Sequence, residues 1–235
     1  MSLLGKAAVA MWWDILPAQR EEFQEWHSRE HFPERMGIEG FLRGSRWSNI
    51  DGGTGFFVMY ELASYETLTS AGYLQSLNNP SPWSAKMMPH HLHMVRSQCK
   101  VLSSFGAGLG KAVLTIRLSP ADGQAGPLLA GLEKLLARQA ESRGIVGAHL
   151  LQTRTPEAAM TQEQKIRGGD AAADWIVLLS SYETEALQHA LANELSPQRL
   201  QAAGALAAMT HGIYALSHSL GKHDLKPAAQ GGATG

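Results

Sequence analysis

The sequence predicts an α+β fold made of two tandem ferredoxin-like repeats, each ordered β-α-β-β-α-β. Three observations predict it. Short motifs recur in the same order in both halves of the chain. Strand-type and helix-type segments alternate in the same order in each half. The apolar content of 44% with 17% charged residues is that of a chain able to bury a sheet under helices.

The recurrence comes first, because a missed repeat would mislead every later assignment. Gly5-Lys6-Ala7-Ala8-Val9 returns as Gly110-Lys111-Ala112-Val113-Leu114, an offset of 105 residues. Gly37-Ile38-Glu39-Gly40 returns as Gly144-Ile145-Val146-Gly147 at 107, and Ser64-Tyr65-Glu66-Thr67 as Ser181-Tyr182-Glu183-Thr184 at 117. Met88-Pro89-His90 returns more weakly as Met209-Thr210-His211 at 121. The growing offsets imply insertions in the second copy.

In the first copy, residues 7–16 read as an apolar strand closed by Pro17, and residues 18–32 as a helix with Phe23 and Trp26 at helical spacing. Pro33 is expected to end that helix. Gly37 and Gly40 turn the chain into a strand over 41–49, followed by the turn Asp51-Gly52-Gly53 and a strand over 56–62. Ser64 is the expected N-cap of a helix running to Leu77. Residues 78–82 break it, 83–89 form a helical turn, and 91–101 form the fourth strand. Such a sheet carries helices on one face, so its other face needs a partner.

The second copy supplies that partner. Its strands are expected over 112–118, 148–154, 175–180 and 211–219, with helices over 128–142, 183–194 and 197–208. Residues 119–127 read as a polar loop and 155–172 as a long mobile insertion. The expected units are 1–105 and 110–221, joined by a glycine-rich hinge over 103–110, with a disordered tail over 222–235.

A net charge of -1 supplies no field for nucleic acid or an anionic membrane, and no run approaches the length of a membrane span. The apolar start, Leu3 to Trp13, is interrupted by Lys6 and closed by Asp14, unlike a signal peptide. Cys99 stands alone, so an internal disulfide is impossible, and the expected location is cytoplasmic. The expected partner is a small molecule, with pairing of the whole unit into a homodimer as a further expectation.

The densest supply of proton-transfer groups is Trp26-His27-Ser28-Arg29-Glu30-His31-Phe32-Pro33-Glu34-Arg35. On a helix His27 and His31 share a face, with Trp26 and Glu30 beside them. Imidazoles exchange protons near neutrality, which makes His31 the leading acid/base and His27 its partner, with Glu30 or Glu34 to orient a ring. Arg43 and Arg46 are candidates for stabilising negative charge. Trp26, Trp47, Tyr60, Trp83 and His91 are candidates for lining an aromatic pocket. The competing reading is that these histidines and aromatic rings only pack the core.

His27-Ser28-Arg29-Glu30-His31 also matches the H-x-x-E-H metalloprotease pattern, but in the wrong fold context. His90, His91 and His93 form a second cluster, with strand alternation expected to put His91 and His93 on one face. No metal ligand set is assigned and no cofactor is required; a metal or haem protein is the third reading. Gly106-Ala107-Gly108-Leu109-Gly110 lacks the following helix of a dinucleotide fingerprint.

The repeats, together with the run from Trp26 to Arg35 and Gly37-Ile38-Glu39-Gly40-Phe41 after it, resemble the dimeric α/β-barrel superfamily. Within it they look most like the EthD-like and stress-responsive A/B-barrel proteins. That resemblance implies two ferredoxin-like units packed sheet to sheet into a barrel, usually from two chains and here from one fused chain. It implies a small-molecule pocket beside the sheet under the helices, with histidine at the end of the first helix; His27 and His31 match. Activities across the superfamily include cofactor-free oxygenases, isomerases, cyclases and lyases, and fold alone does not choose among them. The second copy ends its first helix Arg138-Gln139-Ala140-Glu141-Ser142-Arg143 without a histidine, which implies one working pocket. An enzyme of histidine acid/base type acting on an apolar or aromatic metabolite is the first reading. A non-catalytic ligand-binding or stress-response protein is the second.

Overall fold

The computed structural model describes residues 3–53, 55–155, 160–168 and 170–225. Its strands are β1 (Ala7–Asp14), β2 (Phe41–Asn49), β3 (Gly55–Leu62), β4 (Leu92–Gly106), β5 (Ala112–Leu118), β6 (Ile145–Thr153), β7 (Trp175–Ser181) and β8 (Thr210–Gly221). Its α-helices are α1 (Arg20–Trp26), α2 (Phe32–Met36), α3 (Ala71–Asn78), α4 (Pro82–Met87), α5 (Ala125–Gln139), α6 (Gln162–Arg167), α7 (Thr184–Ala192) and α8 (Pro197–Ala202). The strands close an antiparallel barrel in the order β1-β3-β2-β8-β5-β7-β6-β4. No helix among the described residues is long and apolar enough to cross a membrane.

Strand alternation divides the interior into three layers. Ala8, Ala10 and Trp12 of β1 face the barrel lumen with Trp47, Phe57, Met59, Cys99, Leu151, Ile176 and Leu178. Ala7, Val9, Met11 and Trp13 face outward into a core roofed by α1 to α4. The second half repeats the pattern with Ala112, Leu114, Ile116 and Leu118 under α5 and α7. Burial pushes the lumen thiol of Cys99 up to about 12, which makes it an inert apolar filler.

Closure depends on two long strands. β4 has 15 residues and pairs with both β1 and β6; β8 has 12 and pairs with both β5 and β2. The expected hinge over 103–110 is therefore partly strand, because Ser103 to Gly106 are needed to bond β6. Barrel closure outweighs the flexibility of glycine there.

Other expectations are corrected by local chemistry. The first helix does not end at Pro33: a π-turn over His27–His31, with Phe32 N–H bonding to His27 O, absorbs the missing donor and the chain resumes as α2. Ser64 does not cap a helix; a 3₁₀ turn follows it, and Ser70 Oγ accepts from Tyr73 N–H at 3.3 Å to start α3. α5 starts before Pro127, since a proline in the first helical turn sacrifices no hydrogen bond. The insertion over 155–172 is not loop throughout: Thr161 and Gln164 form a capping box that opens α6. The rest of that insertion includes 156–159 and 169, which lie outside the described residues, as does the tail from 226. Lys222–Asp224 form a 3₁₀ turn held by Gly221 N–H to Asp224 Oδ2 at 2.7 Å.

Gly44 sits where α2 presses on β2. A Cβ added there would lie 2.7 Å from Phe32 Cε1 and 2.9 Å from Tyr60 Cε1. Gly44→Ala is therefore expected to displace both rings and cost about 1–3 kcal/mol, as overpacking does, read from the urea midpoint.

Candidate functional site

A buried cavity lies between the outer face of the first-half sheet and its helices. Met11 and Trp13 of β1, Tyr60 of β3, and Met94 and Arg96 of β4 form its floor. Trp26, His27, His31 and Arg35 form one wall, Tyr73, Leu77, Met88 and His91 another, and Glu163 and Arg167 of α6 close it. Its free volume is about 30 Å³, room for a water or two. A larger hollow of about 370 Å³ lies between α5 and α7 but is an open groove without buried histidines.

The π-turn sets the geometry of the histidines, because its wider turn stacks side chains four residues apart. The rings of His27 and His31 have centroids 5.3 Å apart. His31 lies 4.6 Å from Trp26, while Phe32 meets His27 edge-on at 4.4 Å. π-turns inside helices are frequent at functional sites.

All three cavity imidazoles are held neutral. Burial lowers His27 well below its usual range, helped by His31 and Arg46. Burial likewise lowers His31, helped by Arg35 and His91. His91 is pushed down to about 3 by burial and by Arg167. Its Nδ1 lies 3.2 Å from Met87 O and 3.0 Å from Met88 O. Carbonyls only accept, so Nδ1 carries the proton and Nε2 holds the lone pair. Burial also raises Tyr60, so its hydroxyl stays protonated despite Arg35.

Four polar atoms at this cavity are buried without a hydrogen-bond partner: Trp13 Nε1, His27 Nδ1, His31 Nδ1 and Tyr60 OH. His31 Nδ1 comes only within 3.9 Å of Glu34 Oε2. Leaving such a group unsatisfied costs about 1–3 kcal/mol. Native folds rarely accumulate this cost in one place without a use for it.

The charged groups, by contrast, are paired. Arg35 donates to Glu163, Ser76 and Glu34, the last at 3.1 Å. Burial works to lower the Arg35 guanidinium, but Glu163 and Glu34 outweigh it and raise it. Arg167 holds Asp170 through Nε at 3.0 Å and Nη2 at 2.9 Å, and lies 3.6 Å from Glu163. Arg96 donates to Tyr73 OH at 2.8 Å. Arg35 and Arg167 are thus paired with Glu34, Glu163 and Asp170, while Arg96 is held by the Tyr73 hydroxyl.

His27, His31, Trp26, Tyr60 and His91 are brought together here; the other sequence candidates are not. Glu30 turns to Ser81, whose hydroxyl donates to it at 2.5 Å beside the start of α4. Trp83 lies outside the cavity and donates to Glu22 at 3.2 Å. Arg43 and Arg46, three apart on a strand, fall on opposite faces. Arg43 pairs with buried Glu61 at 2.6 Å beside the lumen. Arg46 bonds Ser28 Oγ at 3.1 Å behind α1, and burial lowers its guanidinium to about 10. Trp47 stacks on Phe57 inside the barrel at 5.1 Å. His91 and His93 do not share a face: His93 takes φ 54° where the β1–β4 register shifts, and points out to Asp14 at 3.0 Å. Among the described residues no group of three or more His, Cys, Asp or Glu is arranged to hold a metal ion.

Trp13 and Arg35, noted in the sequence, were given no role of their own, and sequence reasoning missed Tyr73, Arg96, Glu163 and Arg167. The alternation of Val9, Met11 and Trp13 was a usable signal for Trp13. The T-x-x-Q pattern of Thr161 and Gln164 was a signal for α6, but nothing local says which surface α6 covers.

The sequence matches no protein-family model and no curated protein. Among solved structures it is similar to an anthrone oxidase-like protein, with 15% identity over 97% of this chain and 99% of that one, TM-score 0.69. It is also similar to two structures each named "putative monooxygenase". One, from Fusobacterium nucleatum subsp. nucleatum, has 8% identity over 93% and 96% of the two chains, TM-score 0.59. The other, from Lactobacillus acidophilus NCFM, has 8% identity over 92% and 97%, TM-score 0.58. At these identities the likeness is one of fold: a closed, eight-stranded antiparallel α+β barrel.

Proposed function

We propose that this protein is a small-molecule enzyme whose site is the histidine cavity of the first half, and that it oxygenates a neutral, planar ketone or phenol without a resident cofactor. The observation that carries this reading is that four residues lining one buried cavity, Trp13, His27, His31 and Tyr60, each hold a buried polar atom without a hydrogen-bond partner. Neutral imidazoles suit removal of a proton from an activated carbon, and His31 is the leading base with His27 beside it. Glu34, 3.9 Å from His31 Nδ1, faces the imidazolium that forms. The Tyr60 hydroxyl and Trp13 N–H are donors for the enolate oxygen. For a CH₂ flanked by aryl rings, as in anthrone, the balanced reaction is CH₂ + O₂ → C=O + H₂O. The fold likeness to an anthrone oxidase-like protein makes that compound a reasonable first substrate to try.

The test is oxygen uptake by the purified protein with anthrone and related ketones. His31→Ala is expected to lower turnover about 10²- to 10⁴-fold, the usual contribution of an acid/base group, with folding intact by circular dichroism. Turnover without oxygen uptake would favour an isomerase, and no turnover with saturable binding would favour a ligand carrier.

We further propose that the barrel is a tandem duplication. The orders β4-β1-β3-β2 and β8-β5-β7-β6 support this, being the same permutation in each half. The ladders favour a different register from the motif matches. Ala63 N–H bonds Gly40 O as Tyr182 N–H bonds Gly144 O, so Gly40 rather than Gly37 is the counterpart of Gly144. Leu62 faces Ala7 as Ser181 faces Ala112, so Leu62 rather than Ser64 is the counterpart of Ser181.

A further inference from the structure

Accepting the histidine cavity as the site, its size poses a problem of access. Sites for organic ligands run to about 300–1,000 Å³, whereas this one holds about 30 Å³. Some wall must move, and the walls differ in how they are held. α1 buries Phe23 and Trp26 in the core, and α5 on the other half buries Leu128, Leu132 and Leu136. α6 buries no apolar side chain; its one buried residue is Glu163. Segments with little buried apolar area open locally at low free energy.

Among the described residues, the polar attachments of α6 to the first half are few. Glu163 meets Arg35, and Gln162 N–H bonds Asn78 Oδ1 at 3.1 Å. Downstream, Ala171 is pinned to β4 by its carbonyl to Arg96 N–H at 2.8 Å and its N–H to Met94 O at 3.2 Å. Parting at the Arg35–Glu163 contact also leaves no charge alone. Arg35 keeps Glu34, and Glu163 keeps Arg167, which rides on the same helix. Stranding a buried ion is what makes most such pairs costly to break, and here that cost is avoided.

We infer that α6 is the entrance cover of the histidine cavity, latched shut by the Arg35–Glu163 ion pair and hinged where Ala171 is pinned to β4. Substrate enters when the latch parts and the helix lifts from the first half. The second half thus controls entry to a site whose acid/base groups all belong to the first.

Diethyl pyrocarbonate, which acylates neutral imidazole and is far larger than the closed cavity, tests this without any assay of turnover. Peptide mapping by mass spectrometry would follow carbethoxylation of His27, His31 and His91, with exposed His93 as internal reference. Glu163→Ala is expected to speed modification of the three cavity histidines about tenfold or more, corresponding to about 1.4 kcal/mol in the opening equilibrium. Conversely, a short bis-maleimide bridge across N78C/Q162C is expected to slow them at least as much while His93 reacts unchanged. Cavity histidines that react at the same rate with and without the bridge would overturn the cover. Failure of the enzymatic reading would appear separately, as absence of turnover in a protein whose bridge still controls acylation.

Discussion

Phe23→Ala is expected to destabilise the protein by about 3–5 kcal/mol, the range for emptying a fully buried phenylalanine site. Phe23 has no exposed surface and is the hub of the aromatic cluster under α1. Its ring lies 4.8 Å from Phe56, 5.2 Å from His27, 5.7 Å from His91, 5.8 Å from Trp13 and 6.0 Å from Trp26. Such a loss is a large share of the roughly 5–15 kcal/mol that holds a typical domain together. Trp13 and Phe56 are fixed on barrel strands and cannot move to close the gap. Urea unfolding should show the midpoint fall with an unchanged slope. The same change should let water reach His27 and His91, moving their titrations toward the ordinary histidine value in NMR spectra. A loss below about 1 kcal/mol would mean that α1 can collapse onto the sheet without this ring.

Acidification from pH 7 to pH 5 is expected to be the second large perturbation. His27, His31 and His91 are kept neutral in the fold, first of all by burial. In the unfolded chain their imidazoles titrate near the ordinary value of about 6.5. Below that pH the unfolded state binds more protons than the folded state, so stability falls as pH falls. The loss starts near pH 6.5 and continues down to the folded-state values, about 3 in the case of His91. Each histidine adds a slope of up to about 1.4 kcal/mol per pH unit, and the three together up to about 4. Arg35, Arg46 and Arg167 press in the same direction. Urea midpoints at pH 7, 6 and 5 measure the slope, and His91→Gln should make it shallower. A flat profile over that range would mean that the three rings are hydrated in the native state.

Much of the fold was legible because it is written in local pattern. The alternation in Ala7 to Asp14 survives as register in the ladders that β1 makes with β3 and β4. What local pattern could not convey was competition from distant partners. Ser103 to Gly106 look like a hinge until β6 demands them as strand. Pro33 looks like a stop until a π-turn absorbs it. At the site, the pairing of His27 with His31 followed from helical spacing, and a one-residue difference in strand parity decided the fate of Trp12 and Trp13. Arg43 and Arg46 were misplaced because being near the site in sequence says nothing about which face of β2 each occupies. Glu163 and Arg167 lie more than a hundred residues from His31 and reach it only because β6 pairs with β4.

The unequal connections between the hairpin strands carry a last consequence. β2 and β3 are joined by residues 50–54, whereas β6 and β7 are joined by 154–174, the stretch that contains α6. In a barrel assembled from two identical chains, rotational symmetry would repeat any such insertion, and each protomer would have to tolerate it on both flanks. A single chain is released from that constraint. Its two halves can diverge, and here the second alone carries α6 between its hairpin strands, laid over the histidine cavity of the first.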